Sequence, residues 1–258
     1  MPAIEARSIN ILVTDTPPSL ASQLPQVEVS SHEVGVNMHN KAARLRKSRS
    51  PKADPAFGGR LPAGQVLTER FPILHEGAVP EYDLANWSLC LYGSLKNPVE
   101  LRYTDLQALP QHQLQCDIHC VTRWSKFDTQ WSGVHLQDLL QAFDIQPQTN
   151  FVMAHADHDY QTNLRLDDLL HPHTLLATHY AGQPLTAQHG WPLRLVVAGR
   201  YFWKSAKWLR GLEFIDQEQP GFWERNGFHL HADPFAEQRF SAEALDIAED
   251  AWLEKDFD

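Results

Sequence analysis

Cysteine is scarce in this chain. Three thiols in 258 residues, Cys90, Cys116 and Cys120, form no evenly spaced framework, so a disulfide-stapled fold is excluded and a reducing compartment is expected. Positive charge is short as well: 22 Lys and Arg against 32 Asp and Glu leave a net charge of −10. That balance argues against nucleic acid as a partner, because duplex binding neutralises phosphates with cations. No apolar run approaches the roughly 20 residues that span a bilayer, so no membrane insertion is expected. Met1 to Ser30 has no basic region leading into an apolar core and no pair of arginines. It reads as lacking an export signal, and a cytoplasmic location is expected. Internal repeats, a Walker loop, Gly-x-Gly-x-x-Gly and His-Glu-x-x-His are all missing, which removes the common nucleotide and zinc-protease signatures.

What is present is apolar and aromatic. Apolar residues make up 43%, with eight Trp and twelve Phe, enough for a substantial core at this length. Three regions differ in composition. Residues 1–57 are rich in Pro, Ser and charge, with five basic residues between Lys41 and Arg49, and are expected to form a disordered or adherent arm. Residues 58–235 carry the periodic patterns of one domain. Residues 236–258 are acidic, and Leu245, Ala248, Ala251 and Trp252 share one face of an expected C-terminal helix.

Within the domain, alternating apolar positions predict a strand over Trp87 to Gly93. A helix is expected from Leu101 to Leu109, with Thr104 as N-cap and Pro110 beyond its end. Trp131-Ser132-Gly133-Val134 reads as a turn, followed by an amphipathic helix over His135 to Phe143. Strands are expected over Asn150 to Ala156, Leu175 to Tyr180 and Leu195 to Val197, with a short helix at Leu166 to Leu170 and a turn at Ala181 to Pro184.

The chemistry concentrates in Cys116-Asp117-Ile118-His119-Cys120-Val121-Thr122-Arg123-Trp124-Ser125, a short strand running into a loop. Cys120 stands where the strand pattern ends, beside Arg123, whose charge favours thiolate over thiol. A nucleophile, a metal ligand and plain buried packing all remain open for it. Zinc would need a second ligand pair, which the sequence lacks. A Cys-His thiol hydrolase would take His189 as its base, though nothing marks an oxyanion hole. A second cluster, His189, Arg194, Lys204, Ser205 and Lys207, combines cations, a hydroxyl and turn amides, as an anion cradle requires. Solvated strand-end charges are the plain alternative, and a non-enzymatic anion-binding module would use the cradle alone.

The order of these motifs is informative. His75 precedes the first strand. Cys120 follows in Cys-Val-Thr-Arg-Trp-Ser. Then come Gly182-x-Pro184-Leu185, His189-Gly190-x-Pro192-Leu193-Arg194-Leu195-Val196-Val197 and Lys204-Ser205-x-Lys207-Trp208. The set resembles the molybdopterin-binding domain of the sulfite oxidase superfamily, especially its stand-alone bacterial oxidoreductases, over residues 58–232. The resemblance implies an α+β fold of the sulfite oxidase type, with mixed β-sheets and short peripheral helices around a molybdenum-molybdopterin cofactor. It makes Cys120 the thiolate ligand of molybdenum, a soft ligand suited to that metal. It assigns His75, His189, Arg194, Lys204 and Lys207 to the pterin and its phosphate, Phe202 and Trp203 to backbone contacts, and Asp157 to a pterin contact. Arg123 is expected to join Cys120 in catalysis by holding an anionic substrate.

Departures qualify the activity. Ile73 stands where sulfite oxidases carry an Arg, and Phe228 where they carry a Tyr; the superfamily's exported methionine-sulfoxide reductases have Asn in place of His75 and His189. The implied reaction is two-electron oxygen-atom transfer on a small-molecule donor or acceptor, sulfoxide- or N-oxide-like rather than sulfite. No Cys-x-x-Cys-His haem motif occurs, so electrons are expected to pass through a separate redox protein.

Overall fold

In the computed structural model, residues 55–75 and 77–241 are described. The expected C-terminal helix and nearly all of the N-terminal arm fall outside them. The elements run β1 (Val66–Leu67), β2 (Ser88–Gly93), β3 (Leu95–Lys96), β4 (Val99–Arg102), α1 (Tyr103–Ala108), β5 (His112–His119), β6 (Trp124–Val134), α2 (Leu136–Ala142), β7 (Gln146–Pro147), β8 (Phe151–Ala156), β9 (Gln161–Arg165), α3 (Leu166–Leu170), β10 (Thr174–Tyr180), β11 (Gln183–Pro184), β12 (Arg194–Val197), β13 (Leu209–Ile215) and α4 (Phe222–Arg225). Two mixed sheets dominate, one in the order β1-β6-β10-β11 with β5 beside β6 and β12 beside β10, the other β4-β2-β13-β8-β9. The short helices are peripheral, as an α+β fold requires.

Alternation along the strands explains the layering. Val134, Leu176, Leu195 and Val197 from the first sheet meet Leu89, Leu91, Val152, Leu212 and Phe214 from the second in one core. The opposite face of the first sheet buries Leu114, Trp131, Leu175, Ala177 and Val196 in another. β10 is therefore covered on both faces, which accounts for its unbroken apolar start, Leu175-Leu176-Ala177. Each such Leu contributes about 1.5–3 kcal/mol relative to exposure.

Three local expectations need correction. Leu101 lies in β4 rather than in a helix, and α1 begins at Tyr103. The cap acts through Asp105, whose carboxylate accepts the Arg102 amide at 2.7 Å, not through Thr104. Trp131 to Val134 is not a turn but the end of the long strand β6. Gly133 misled because its role is close approach: a Cβ there would sit 2.0 Å from the Leu176 carbonyl oxygen of β10. Residues 236–241 also belong to the domain. Arg239 and Phe240 are buried, and Phe240 bridges Phe228.

Candidate active site

The two-residue pairing of β1 with the start of β6 and the antiparallel β5–β6 hairpin hold a tight loop from Cys120 to Arg123. The Cys120 amide donates to the Trp124 carbonyl at 2.8 Å and the Arg123 amide to the Cys120 carbonyl at 3.0 Å. Cys120 is thereby presented to a cleft lined by residues from the 71–75 segment, the Cys120 loop, the 202–208 connection and the C-terminal aromatics. The cleft encloses about 1060 Å³ of empty space, counting the solvent at its mouth. Its wall near Cys120 is apolar: Trp203, Trp223, Phe228 and Phe240 form one cluster with Cys120 and Val121. The Cys120 sulfur lies 3.1 Å from the Thr122 hydroxyl.

A second part of the cleft is cationic. Arg194 is fully buried, and its guanidinium donates to the carbonyls of Leu195, His189 and Ser205 at 3.2, 2.9 and 2.9 Å. It stacks over the rings of Phe202 and Trp131, and burial lowers its pKa. Lys207 donates to the Gln188 carbonyl at 3.0 Å. Burial first, then the nearby Arg194 charge, pushes its pKa down to about 7. Gly190, in the left-handed region at φ 106°, lets the two cations close in: a Cβ there would meet both side chains at 3.1 Å. His189 stacks on Phe71 with ring centres 4.4 Å apart, and its Nδ1 pairs with the Thr186 hydroxyl at 2.9 Å. Its pKa is lowered by burial and then by Arg194 and Lys207. A fully buried Arg194 and a half-buried Lys207, both bonded to carbonyls rather than carboxylates, gather positive charge whose burial is costly unless an anion completes the site. That is the environment a phosphate would relieve.

Of the residues named from the sequence, His75, Cys120, Asp157, His189, Arg194, Phe202, Trp203 and Lys207 line this cleft. His75 Nδ1 is 2.9 Å from the Gly77 carbonyl, and its ring meets the edge of Trp208. Asp157 accepts a short hydrogen bond from the Tyr82 hydroxyl. Two of the named residues are not among those that line it. Lys204 turns away from the cleft and is buried against Glu224, with Nζ 2.5 Å from that carboxylate, 2.8 Å from the Asn163 carbonyl and 2.6 Å from its side-chain oxygen. The cause is the 3-10 turn over Phe202–Lys204. Three residues per turn align Phe202 with Ser205 at the cleft and rotate Lys204 off that face. Arg123 does not line the cleft either. Its backbone is in the left-handed region at φ 71°, and Nη1 reaches towards the Gly64 carbonyl at 3.5 Å.

Sequence inspection missed Gln65 and Arg239, which support the Cys120 loop from behind, and Tyr160, whose hydroxyl donates to the Trp203 carbonyl at 2.6 Å. No motif marks them. Among the described residues no group of three or more His, Cys, Asp or Glu converges.

Comparisons agree with this arrangement. A family model, the oxidoreductase molybdopterin binding domain, matches residues 76–223. The uncharacterized oxidoreductase YuiH of Bacillus subtilis (strain 168) is 46% identical over 184 residues, covering 71% of this chain and 93% of that protein. The protein-methionine-sulfoxide reductase catalytic subunits MsrP of Campylobacter jejuni and Gluconobacter oxydans are 27% and 30% identical over 59% and 57% of this chain, and 59% and 54% of their own. The chain thus spans less than two thirds of those reductases. Among solved structures, the sulfane dehydrogenase SoxCD from Paracoccus pantotrophus shares the fold, with a TM-score of 0.51 and 20% identity over 60% of this chain and 43% of that one.

Proposed function

Because the chain belongs to the family of oxidoreductase molybdopterin-binding domains, we propose that it performs two-electron oxygen-atom transfer on a small neutral or zwitterionic substrate, of the sulfoxide or N-oxide type rather than sulfite. The cofactor suits the residues present. Buried Arg194 and half-buried Lys207 would hold its phosphate, His75, His189 and Asp157 would meet the pterin, and Cys120 would supply one sulfur ligand. When bound, the cofactor supplies the redox chemistry at molybdenum. The chain's share is to place that sulfur, anchor the anion and keep water from the aromatic wall.

The carrying observation is the composition of the wall around Cys120. Phe228 is 4% exposed between Trp203, Trp223 and Phe240, and Ile73 stands at the cleft with 43% exposure. The lining cations, Arg194 and Lys207, gather instead about the Gly190 turn. The side chains clustered with Cys120 are apolar, so a dianion against them would lose hydration, which costs several kcal/mol. That the reductase relatives are catalytic subunits by name supports a separate protein that carries electrons. Three free thiols support a reducing compartment.

The test is turnover by the full chain, produced in cells that make molybdopterin, with artificial electron carriers and a panel of sulfite, sulfoxides and N-oxides. Molybdenum near one per chain and a higher kcat/KM for a sulfoxide or N-oxide are expected. Preference for sulfite over the whole panel overturns the substrate class, and absence of molybdenum overturns the enzyme class.

A further inference from the structure

Behind the Cys120 loop lies a second buried guanidinium. Arg239 is 5% exposed, and it donates through Nη1 to the Val121 carbonyl at 2.9 Å and through Nη2 to the Ala63 carbonyl at 3.1 Å. Its guanidinium sits 4.9 Å above the ring of fully buried Tyr201. From the same 63–65 segment, buried Gln65 donates its amide to the Cys120 carbonyl at 3.0 Å. The carbonyls of two consecutive residues, Cys120 and Val121, are thus held by two side chains, and Arg239 also bonds to the Ala63 carbonyl, two residues before Gln65. Arg239 is itself fixed: its carbonyl accepts the His229 amide at 3.2 Å, and its neighbour Phe240 bridges Phe228 in the cleft wall. Both Gln65 and Arg239 fall outside the 76–223 span of the family match.

A buried guanidinium is expensive, and an apolar side chain of similar volume would often fill the space at lower cost. Arg is the side chain whose planar fork reaches two acceptors at once with little further loss of freedom. We infer that Arg239 and Gln65 are positioning residues, a clamp that fixes the Cys120–Trp124 loop so that the Cys120 sulfur keeps one orientation towards the cleft. The clamp also joins that loop to the Phe228–Phe240 wall, so the ligand sulfur and the substrate-facing aromatics are set by one element. The inference rests on Cys120 as the metal ligand only for its consequence, since the clamp exists in the protein alone.

The experiment follows that division. In cofactor-free full-length protein, hydrogen–deuterium exchange is measured for peptides covering Cys120 to Trp124 and, as internal reference, β8 and β13. Arg239→Gln and Gln65→Leu are each expected to raise exchange in the loop roughly tenfold, the effect of losing one or two hydrogen bonds, and to leave the reference strands unchanged. Arg239→Lys keeps the charge but cannot bridge two carbonyls in a plane, so it is expected to behave like Arg239→Gln. Should Arg239→Gln fail to fold, Gln65→Leu carries the same decision with one bond removed. In cofactor-loaded protein with equal molybdenum content, the clamp variants are expected to shift or broaden the Mo(V) electron paramagnetic resonance signal, which a remote packing defect would leave alone. Wild-type exchange and an unaltered signal in the folded variants overturn the clamp. A wild-type chain without molybdenum, with loop exchange still raised in the variants, overturns only the cofactor assignment.

Discussion

The sulfur of Cys120 and the hydroxyl of Thr122 lie 3.1 Å apart within a loop closed by its own backbone hydrogen bonds. With a thiolate as ligand, Thr122 is the donor, and hydrogen bonds to a ligand sulfur withdraw electron density from the metal. Thr122→Val is therefore expected to lower the midpoint potential of the molybdenum couple, whereas Thr122→Ser preserves it. Redox titration followed by electron paramagnetic resonance reads the shift, and equal potentials in all three proteins would contradict the assignment.

The three cysteines should separate cleanly. Cys116 faces away from the cleft against Thr129, where burial pushes its pKa up to about 11, and Cys90 is raised by burial in β2. Cys120→Ser is expected to abolish metal-centred turnover, while Cys116→Ser and Cys90→Ser keep it within about twofold. Equal loss from Cys116→Ser and Cys120→Ser would point to a two-cysteine site.

Lys207 gives the cofactor-free protein a defined pH dependence. Its ordinary value of 10.5 is lowered to about 7 in the fold. Below pH 7 the ammonium is charged both folded and unfolded, so its burial cost is fully felt. Between about 7 and 10.5 the unfolded chain holds the proton that the fold releases, and stability from this group rises with pH. Urea unfolding across that window should show the rise in wild type and a flatter profile in Lys207→Gln. A bound phosphate keeps Lys207 charged, so affinity for pyrophosphate, used as a probe, should fall as pH rises above about 7. A flat affinity profile would remove Lys207 from the cradle.

The buried pair Lys204–Glu224 is structural. Both side chains are almost completely enclosed, and Glu224 also accepts from Trp203 Nε1 at 2.9 Å and the Thr162 hydroxyl at 3.1 Å. Lys204→Met alone leaves a buried carboxylate unpaired and is expected to cost about 3–5 kcal/mol. Combining it with Glu224→Gln, which keeps an acceptor without charge, should recover at least half of that loss. Denaturant midpoints decide; a Lys204→Met variant as stable as wild type would refute the pairing.

Ile73 and Phe228 are the substrate-side levers. Ile73→Arg places a guanidinium at the cleft, and one charge-assisted hydrogen bond is worth about 1.5–3 kcal/mol, roughly 10- to 100-fold in affinity. Sulfite kcat/KM should rise by that order in Ile73→Arg, with little gain for a neutral sulfoxide. An equal change for both substrates would mean that charge does not govern selection.

The sequence by itself determined the strand and helix identities at Ser88–Gly93, Leu136–Ala142, Phe151–Ala156, Leu166–Leu170 and Arg194–Val197, because period-two and period-3.6 patterns are local. It also picked out Cys120 and the His189–Lys207 cradle, since reactive residue types in a fixed order need no coordinates to be noticed. Tertiary structure alone decided which cations face the cleft. A one-residue rotation in a 3-10 turn sends Lys204 to Glu224 and leaves Lys207 near the Gly190 turn, and Arg123, at a positive φ, is not among the residues that line the cleft. The clamp was equally invisible. Gln65 and Arg239 lie 55 and 118 positions from the loop carbonyls they hold, and a hydrogen bond between residues so far apart leaves no periodic trace in the chain, because only the packed sheets bring its donor and acceptor together.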